Sequence, residues 1–316
     1  MTGSPQAIGI DVGGTKTAAM RVSREGAVVA REILPTPADD MAATLETVVA
    51  AAKTVATEEV AAAGIAAAGL VETATGILRF APNLAWRDAP LVAFVSERLD
   101  VPVVADNDNT AAAWGEFRFG AGRGYRDLLL VGVGTGIGGG IVADGELVRG
   151  AHGFAAEIGH IVVEPDGPLC GCGNRGCWEQ VASGQAVTRA GREAVRSGAD
   201  TSLVALSGGE VERVTGPMVT RAARDGDAVA TGIIAEVGRR LGVGIAGLVN
   251  VLDPEVVVVA GGVAAAGDLL LGAARAAFAQ TVEAPAHRPE VPIVPAALGN
   301  DAGAVGAAAL ALEAVA

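Results

Sequence analysis

Twice in this chain an apolar run breaks at a cluster of glycines and then resumes: AIGIDVGGTKTAAMRVS over residues 7–23 and DLLLVGVGTGIGGGIV over residues 127–142. A strand, glycine turn and strand that recur in this way mark an internal duplication. They restrict the fold to two related halves, each opening on a hairpin. In the first half, Ala7–Asp11, Thr17–Ser23 and the run from Gly26 to Ile33 predict three strands of an antiparallel meander. A long alanine-rich stretch, Met41–Ala63, predicts a helix, and GIAAAGLV after it predicts a buried strand, so the pattern turns to alternating β and α. In the second half a strand over Asp127–Val133 meets GTGIGGG, and pairing resumes at Ile141.

A third glycine pair, Gly261 and Gly262, ends the β-branched run EVVVVAGGV and leads into a helix over about residues 267–280. Buried parallel strands end in this way at ligand crevices. The glycine-rich connector GAGRGY, Gly120–Tyr125, predicts the lobe boundary. The small lobe is then 1–120 together with a returning C-terminal helix in 301–316, and the large lobe is 121–300.

With 45 glycines and only 3% aromatic residues among 316, the interior must be packed with Ala, Val and Leu at short backbone distances. The formal charge of −13 repels polyanions, so no nucleic-acid partner is expected. The charge-free run Leu128–Ala143 is short and rich in glycine, which predicts no membrane span. No basic segment followed by an apolar one opens the sequence, so a cytoplasmic, reducing location is expected.

DVGGTKT, residues 11–17, has neither the spacing of a Walker A loop nor that of a dinucleotide fingerprint. As a phosphate loop, Gly13 and Gly14 would let backbone N–H groups approach phosphate oxygens. Thr15 and Lys16 would add donors, and Asp11 would hold a hydrated Mg²⁺. As a plain turn it would simply join two strands. GVGTGIGGG repeats the chemistry, with Thr135 as hydroxyl donor beside Gly136, and two such loops suit one polyphosphate. In DNDNTAAAWGE, residues 106–116, Asp108 stands at the mouth of a helix, either as its N-cap or as a functional carboxylate.

All three cysteines fall within CGCGNRGCWE, residues 170–179. An odd number that closes such short loops makes a poor disulfide framework. His160 of EIGH with Cys170, Cys172 and Cys177 instead completes a Cys₃His set for tetrahedral zinc, closed and therefore structural. The alternatives are reduced thiols without metal, or a redox site. Glu157, Glu179 and the second ring nitrogen of His160 are suited to hydrogen-bond vicinal hydroxyls, whereas His152 and His287 read as surface or packing residues.

These strings in this order, DVGGTKT, AAAGLV, PNLAW, ND with AAAWGE, GVGTGIGGGIV, EIGH, CGCGNRGCWE and VVVVAGGV, resemble the ROK family over nearly the whole length, and especially its zinc-containing bacterial glucokinases. The resemblance implies an α/β, actin/hexokinase-like fold of two RNase H-like lobes with ATP and a hexose in the inter-lobe cleft. It implies Asp108 as catalytic base, with Gly69, Asn83, Asn107, Glu157, His160 and Glu179 on the sugar, and Gly261 and Gly262 on the adenosine side. Where the family usually reads ENDAN, this chain reads DNDNT, so Asp106, Asn109 and Thr110 are departures beside the base.

The implied reaction is Mg²⁺-assisted transfer from ATP to the 6-hydroxyl of glucose by a homodimer or homotetramer. Mannose, N-acetylmannosamine and N-acetylglucosamine are alternative substrates, and polyphosphate is an alternative donor. A sugar-binding regulator without catalysis is the alternative of another class. The family's repressors carry a DNA-binding helix-turn-helix before the first glycine loop, where only six residues precede Ala7 here, so an enzyme is expected.

Overall fold

The computed structural model describes residues 5–81 and 85–316. Two compact units form: residues up to 130, 139–156 and from 296 onward in the first, and residues 131–138 and 157–295 in the second.

The first unit opens on β1 (Gln6–Val12), β2 (Lys16–Ser23) and β3 (Val28–Pro35), an antiparallel meander. Helix α1 (Met41–Val55) leads to β4 (Val60–Ala67), which lies parallel to β1. A small antiparallel sheet follows, of β5 (Leu70–Glu72), β6 (Ile77–Phe80) and β7 (Arg87–Ala89). Then come α2 (Leu91–Leu99), β8 (Val103–Asn107) and α3 (Asp108–Phe119). The main sheet has the order β3-β2-β1-β4-β8.

The alanine-rich stretch does not stay helical to Ala63. Helix α1 stops at Val55, and Ala61–Ala63 belong to β4. Alanine favours helix locally, but this strand must lie against a helix with almost no room between them. A Cβ on Gly64 would come within 1.9 Å of the Ala307 carbonyl oxygen, and one on Gly9 of β1 within 1.7 Å of that of Ala304. The helix concerned is the C-terminal one, Ala302–Ala314, built almost wholly of alanine and glycine and buried on several sides. It also meets α3, where a Cβ on Gly306 would lie 1.7 Å from the Ala111 carbonyl oxygen. Small residues thus let a sheet and two helices pack at backbone contact.

The connector Gly120–Tyr125 remains with the first unit, and the division falls within β9 (Leu128–Val133). The cause is Glu116, a fully buried carboxylate near the end of α3. It accepts the backbone N–H groups of Ala121 (2.8 Å), Ala297 (3.0 Å) and Leu298 (2.7 Å), fixing the connector and the approach to the C-terminal helix.

Strand β10 (Ile137–Ala143) starts four residues before the expected Ile141, so the turn is only 134–136 and the next glycines are part of the strand. Gly140 is needed there because a Cβ would lie 2.6 Å from the Asn109 carbonyl oxygen. After β11 (Glu146–Leu147), the second unit carries α4 (Glu179–Ala182), α5 (Gly184–Arg196), α6 (Leu203–Leu206), α7 (Gly216–Arg224), the long α8 (Ala228–Leu252), β12 (Val256–Ala260), α9 (Asp268–Thr281) and β13 (Ile293–Pro295). A second five-stranded sheet has the order β11-β10-β9-β12-β13, and β12, wholly apolar and buried, is parallel to β13. No described helix is long and apolar enough to cross a membrane.

Candidate active site

In the first unit the end of β1 and the start of α3 bring two carboxylates together. Asp11 has its pKa raised to about 7, first by burial and then by the charge of Asp108, with Lys16 pulling in the other direction. Asp108 is also raised, chiefly by burial, against the lowering effect of hydrogen bonds from Asn109. Its Oδ1 accepts the Asn109 backbone N–H at 2.9 Å and the Asn109 side-chain amide at 3.0 Å. A Cβ on Gly303 would stand 3.5 Å from Asp11 Cγ and 3.7 Å from the Asp108 carbonyl oxygen, so the C-terminal helix begins against both residues.

The capping role goes to Asn107, so Asp108 is not the N-cap of this helix. Asn107 Oδ1 accepts the N–H groups of Asn109 (2.8 Å) and Thr110 (3.2 Å), while Asp108 is the first residue of the helix. Asn107 also donates to the Gly69 carbonyl oxygen at 3.1 Å, which brings two expected sugar-side residues together, and its side chain hydrogen-bonds Asp108 as well. Gly69 itself has φ +121°, and a Cβ there would lie 2.2 Å from the Phe80 carbonyl oxygen, so only glycine fits. Asn83 lies outside the described residues.

The loop after Asp11 is a true tight turn, closed by Gly13 N–H donating to the Lys16 carbonyl at 3.0 Å. Neither Gly13 nor Gly14 has a positive φ. What glycine supplies here is bare backbone, beside the exposed side chains of Thr15 and Lys16.

In the second unit the turn after β9 is closed by Gly134 N–H to the Gly136 carbonyl at 3.0 Å. It is tied to the start of α5 by Gly184 N–H to the Gly134 carbonyl (2.9 Å) and Gln185 N–H to the Thr135 carbonyl (3.1 Å). Glu179 reaches the same turn. Its Oε2 accepts the Ile137 N–H at 3.4 Å, and a Cβ on Gly136 would come within 2.2 Å of that oxygen.

The other Glu179 oxygen faces the thiol cluster and accepts from Cys170 Sγ at 3.0 Å. Cys170 Sγ lies 3.6 Å from His160 Nδ1, and Cys172 Sγ lies 3.6 Å from Cys177 Sγ. The four candidate ligand atoms lie within 4.8 Å of one another. Tetrahedral metal bonds of about 2.0–2.3 Å require ligand separations of roughly this size, so the set fits a zinc-type ion through Nδ1 of His160. Burial pushes the Cys170 and Cys177 thiols up, as expected for sulfurs that ionise only when a metal takes the proton's place. The other nitrogen of His160, Nε2, lies 3.9 Å from Glu157 Oε2, with Glu157 exposed and His160 half-buried. The expected hydroxyl-binding trio Glu157, His160 and Glu179 is therefore gathered around the cluster.

Gly261 and Gly262 follow β12 as expected. Gly261 has φ +91°, and a Cβ would lie 2.5 Å from the Val133 carbonyl oxygen. Gly262, Gly134 and Thr135 line a cavity of roughly 1210 Å³, walled by α5 and α7 and fringed by Arg189, Arg192, Arg221 and Arg224. No motif marks these arginines. The readable signal was their helical spacing, three apart on each of two strongly two-faced helices.

The ROK family profile matches residues 7–314. The chain is 42% identical over 308 residues to a glucokinase of Streptomyces coelicolor, covering 97% of each, and 36% identical over 312 residues to one of Thermotoga maritima, again covering 97% of each. Among solved structures it is similar to a ROK family glucokinase from Streptomyces griseus in complex with glucose and AMPPNP. That match has a TM-score of 0.90 and 42% identity, covering 98% of this chain and 99% of that one.

Proposed function

The chain belongs to the ROK family, and from that membership and the geometry of its residues we propose that it phosphorylates glucose at the 6-hydroxyl with ATP as donor. The observation that carries the reading is Asp108. It is a carboxylate at the first helical position, relieved of capping by Asn107, and burial raises its pKa, which makes it a stronger base than an exposed carboxylate.

Asp108 accepts the proton of the attacking hydroxyl. Asn107 and the backbone at Gly69 flank the sugar, and the family resemblance adds Asn83 to this set. Glu157, Glu179 and Nε2 of His160 bind the sugar's hydroxyls. The turns at Gly13–Lys16 and Thr135–Gly136 present backbone N–H groups to the phosphates, and Thr15, Lys16 and Thr135 add donors. Gly262 leaves space on the adenosine side, where it lines the arginine-fringed cavity next to Gly261.

Asp11 and Asp108, two carboxylates that feel each other's charge, suit a divalent cation, and Asp11 would hold Mg²⁺. When bound, that ion neutralises charge on the transferring phosphoryl group. The Cys₃His set would hold Zn²⁺ as a structural ion that fixes the segment carrying Glu157, His160 and Glu179.

The test is a coupled ADP-release assay with Mg-ATP across glucose, mannose, N-acetylmannosamine, N-acetylglucosamine and fructose, with Asp108→Asn as control. The highest kcat/KM on glucose and an inactive control support the reading. A preference for an N-acetyl sugar retains the mechanism and changes the substrate, and no turnover on any sugar revives a binding-only role.

A further inference from the structure

Two asparagines flank Asp108 at the start of α3, and their side chains do different things. Asn107 caps the helix, its Oδ1 taking the N–H groups of Asn109 and Thr110. That leaves the Asn109 side chain without a capping task. Its amide instead donates to Asp108 Oδ1 at 3.0 Å.

The backbone alone would hold that oxygen poorly. The Asn109 N–H lies 2.9 Å from Asp108 Oδ1 and 2.8 Å from Asn107 Oδ1, so the two acceptors share it. The Asn107 side chain also hydrogen-bonds Asp108, but it is tied to the Gly69 carbonyl oxygen as well. The Asn109 amide adds a second donor to the same carboxylate oxygen from the same residue. An aspartate carboxylate has a broad, roughly two-fold torsion about Cβ–Cγ, so two donors closing on one oxygen also set the direction of the other.

The anchor is itself held. Gly140 of β10 packs so closely on Asn109 that an added Cβ would lie 2.6 Å from the Asn109 carbonyl oxygen and 2.4 Å from Ala113 Cβ, one turn along α3. Helix stability does not account for an asparagine here, because alanine is the better helix former.

We propose that Asn109 is a positioning residue for Asp108, its side-chain amide fixing the rotation of the carboxylate and with it the oxygen that meets the sugar hydroxyl. The proposal rests on Asp108 being the base of the transfer reaction. Two other roles would give different results. An amide that acted by charge alone would stabilise the carboxylate and weaken it as a base, so its removal would speed the reaction. An amide that bound the sugar would, on removal, raise KM for glucose. Loss of aim lowers kcat and spares both KM values.

Asn109→Ala, Asp108→Asn and the double variant are compared by steady-state kinetics with glucose and Mg-ATP. The expected result for Asn109→Ala is a kcat lower by about 10–100-fold, the scale on which a misplaced group costs rate, with KM for glucose and for ATP within about twofold of the parent. In the Asp108→Asn background the same change should alter the residual kcat by less than about twofold, because no base is left to aim. An unchanged or raised kcat, a loss confined to KM, or an equal loss in both backgrounds overturns the proposal while Asp108→Asn stays inactive. Near-normal turnover in Asp108→Asn removes the base itself, and the proposal with it, and that failure is read from this variant alone.

Discussion

Asp11 and Asp108, from the first strand and the third helix, are held close enough that the charge of one raises the pKa of the other, and Asp11 reaches about 7. Burial contributes more than the neighbour does, and Lys16 opposes both. Two acids from distant parts of the sequence therefore share one electrostatic environment, and the first two expected outcomes below start from it.

Asp108→Asn should lower kcat by about 10²–10⁴, the usual contribution of a general base, while glucose binding persists. The amide preserves shape and can still receive the Asn109 N–H. Steady-state kinetics with calorimetric titration of glucose distinguishes loss of the base from loss of the site. A near-normal kcat would remove Asp108 from the role.

Stability should respond to Asp11 with a definite sign. Its folded pKa of about 7 lies above the unfolded value, so between roughly pH 4 and pH 7 the folded state binds more protons and stability falls as pH rises. The penalty is fully present above pH 7. Asp11→Asn should therefore raise Tm at pH 8, without ligands, by about 2–4 °C, the shift expected for each kcal/mol in chains somewhat smaller than this one. At pH 4 the gain should disappear, and thermal scans at the two pH values check it.

Removing a cysteine should act on the sugar more than on the nucleotide. Cys177→Ser takes one buried sulfur from the Cys₃His set, and Glu179 is anchored to that set through Cys170. Bound zinc, measured by atomic emission, should fall sharply. KM for glucose should rise by about 10–100-fold, the scale on which weakened metal sites lose affinity or activity, with a smaller change for ATP. An unchanged KM in a zinc-free variant would make the cluster dispensable.

Gly64→Ala tests the close packing under the C-terminal helix. The added methyl would stand 1.9 Å from the Ala307 carbonyl oxygen, which belongs to backbone and cannot rotate away. The expected loss is about 1–3 kcal/mol or more, read by chemical denaturation. A loss under 0.5 kcal/mol would show that the helix can move off the sheet cheaply.

Arg149→Met should destabilise by up to about 3 kcal/mol at neutral pH, because it leaves the buried Asp106 without its counter-charge. The arginine side chain is 34% exposed, which keeps the effect at the lower end. Burial already pushes the Asp106 pKa up, so acid protonates it and should shrink the difference between variant and parent. Denaturation at pH 4 and pH 7.5 checks the sign.

Much of this protein was legible in one dimension. The meander of β1 to β3, the glycine turns, the apolar strand before Gly261 and the Cys₃His set all follow from local patterns, because a turn, a strand's period and a metal's ligand number are satisfied by residues near one another in sequence. Alanine was the misleading signal. Ala61–Ala63 form a strand because Gly64 and its neighbours must admit the Ala307 carbonyl, a demand that comes from residues more than 200 positions away. Tertiary structure also decided which of Asn107 and Asp108 caps the helix, since that depends on side-chain direction at the end of β8. It decided that Glu116 would bind three backbone amides, that Asp11 would titrate near 7, and that arginines of two helices would share one cavity. Each of these rests on distance and burial between segments remote in sequence, which local propensity does not encode.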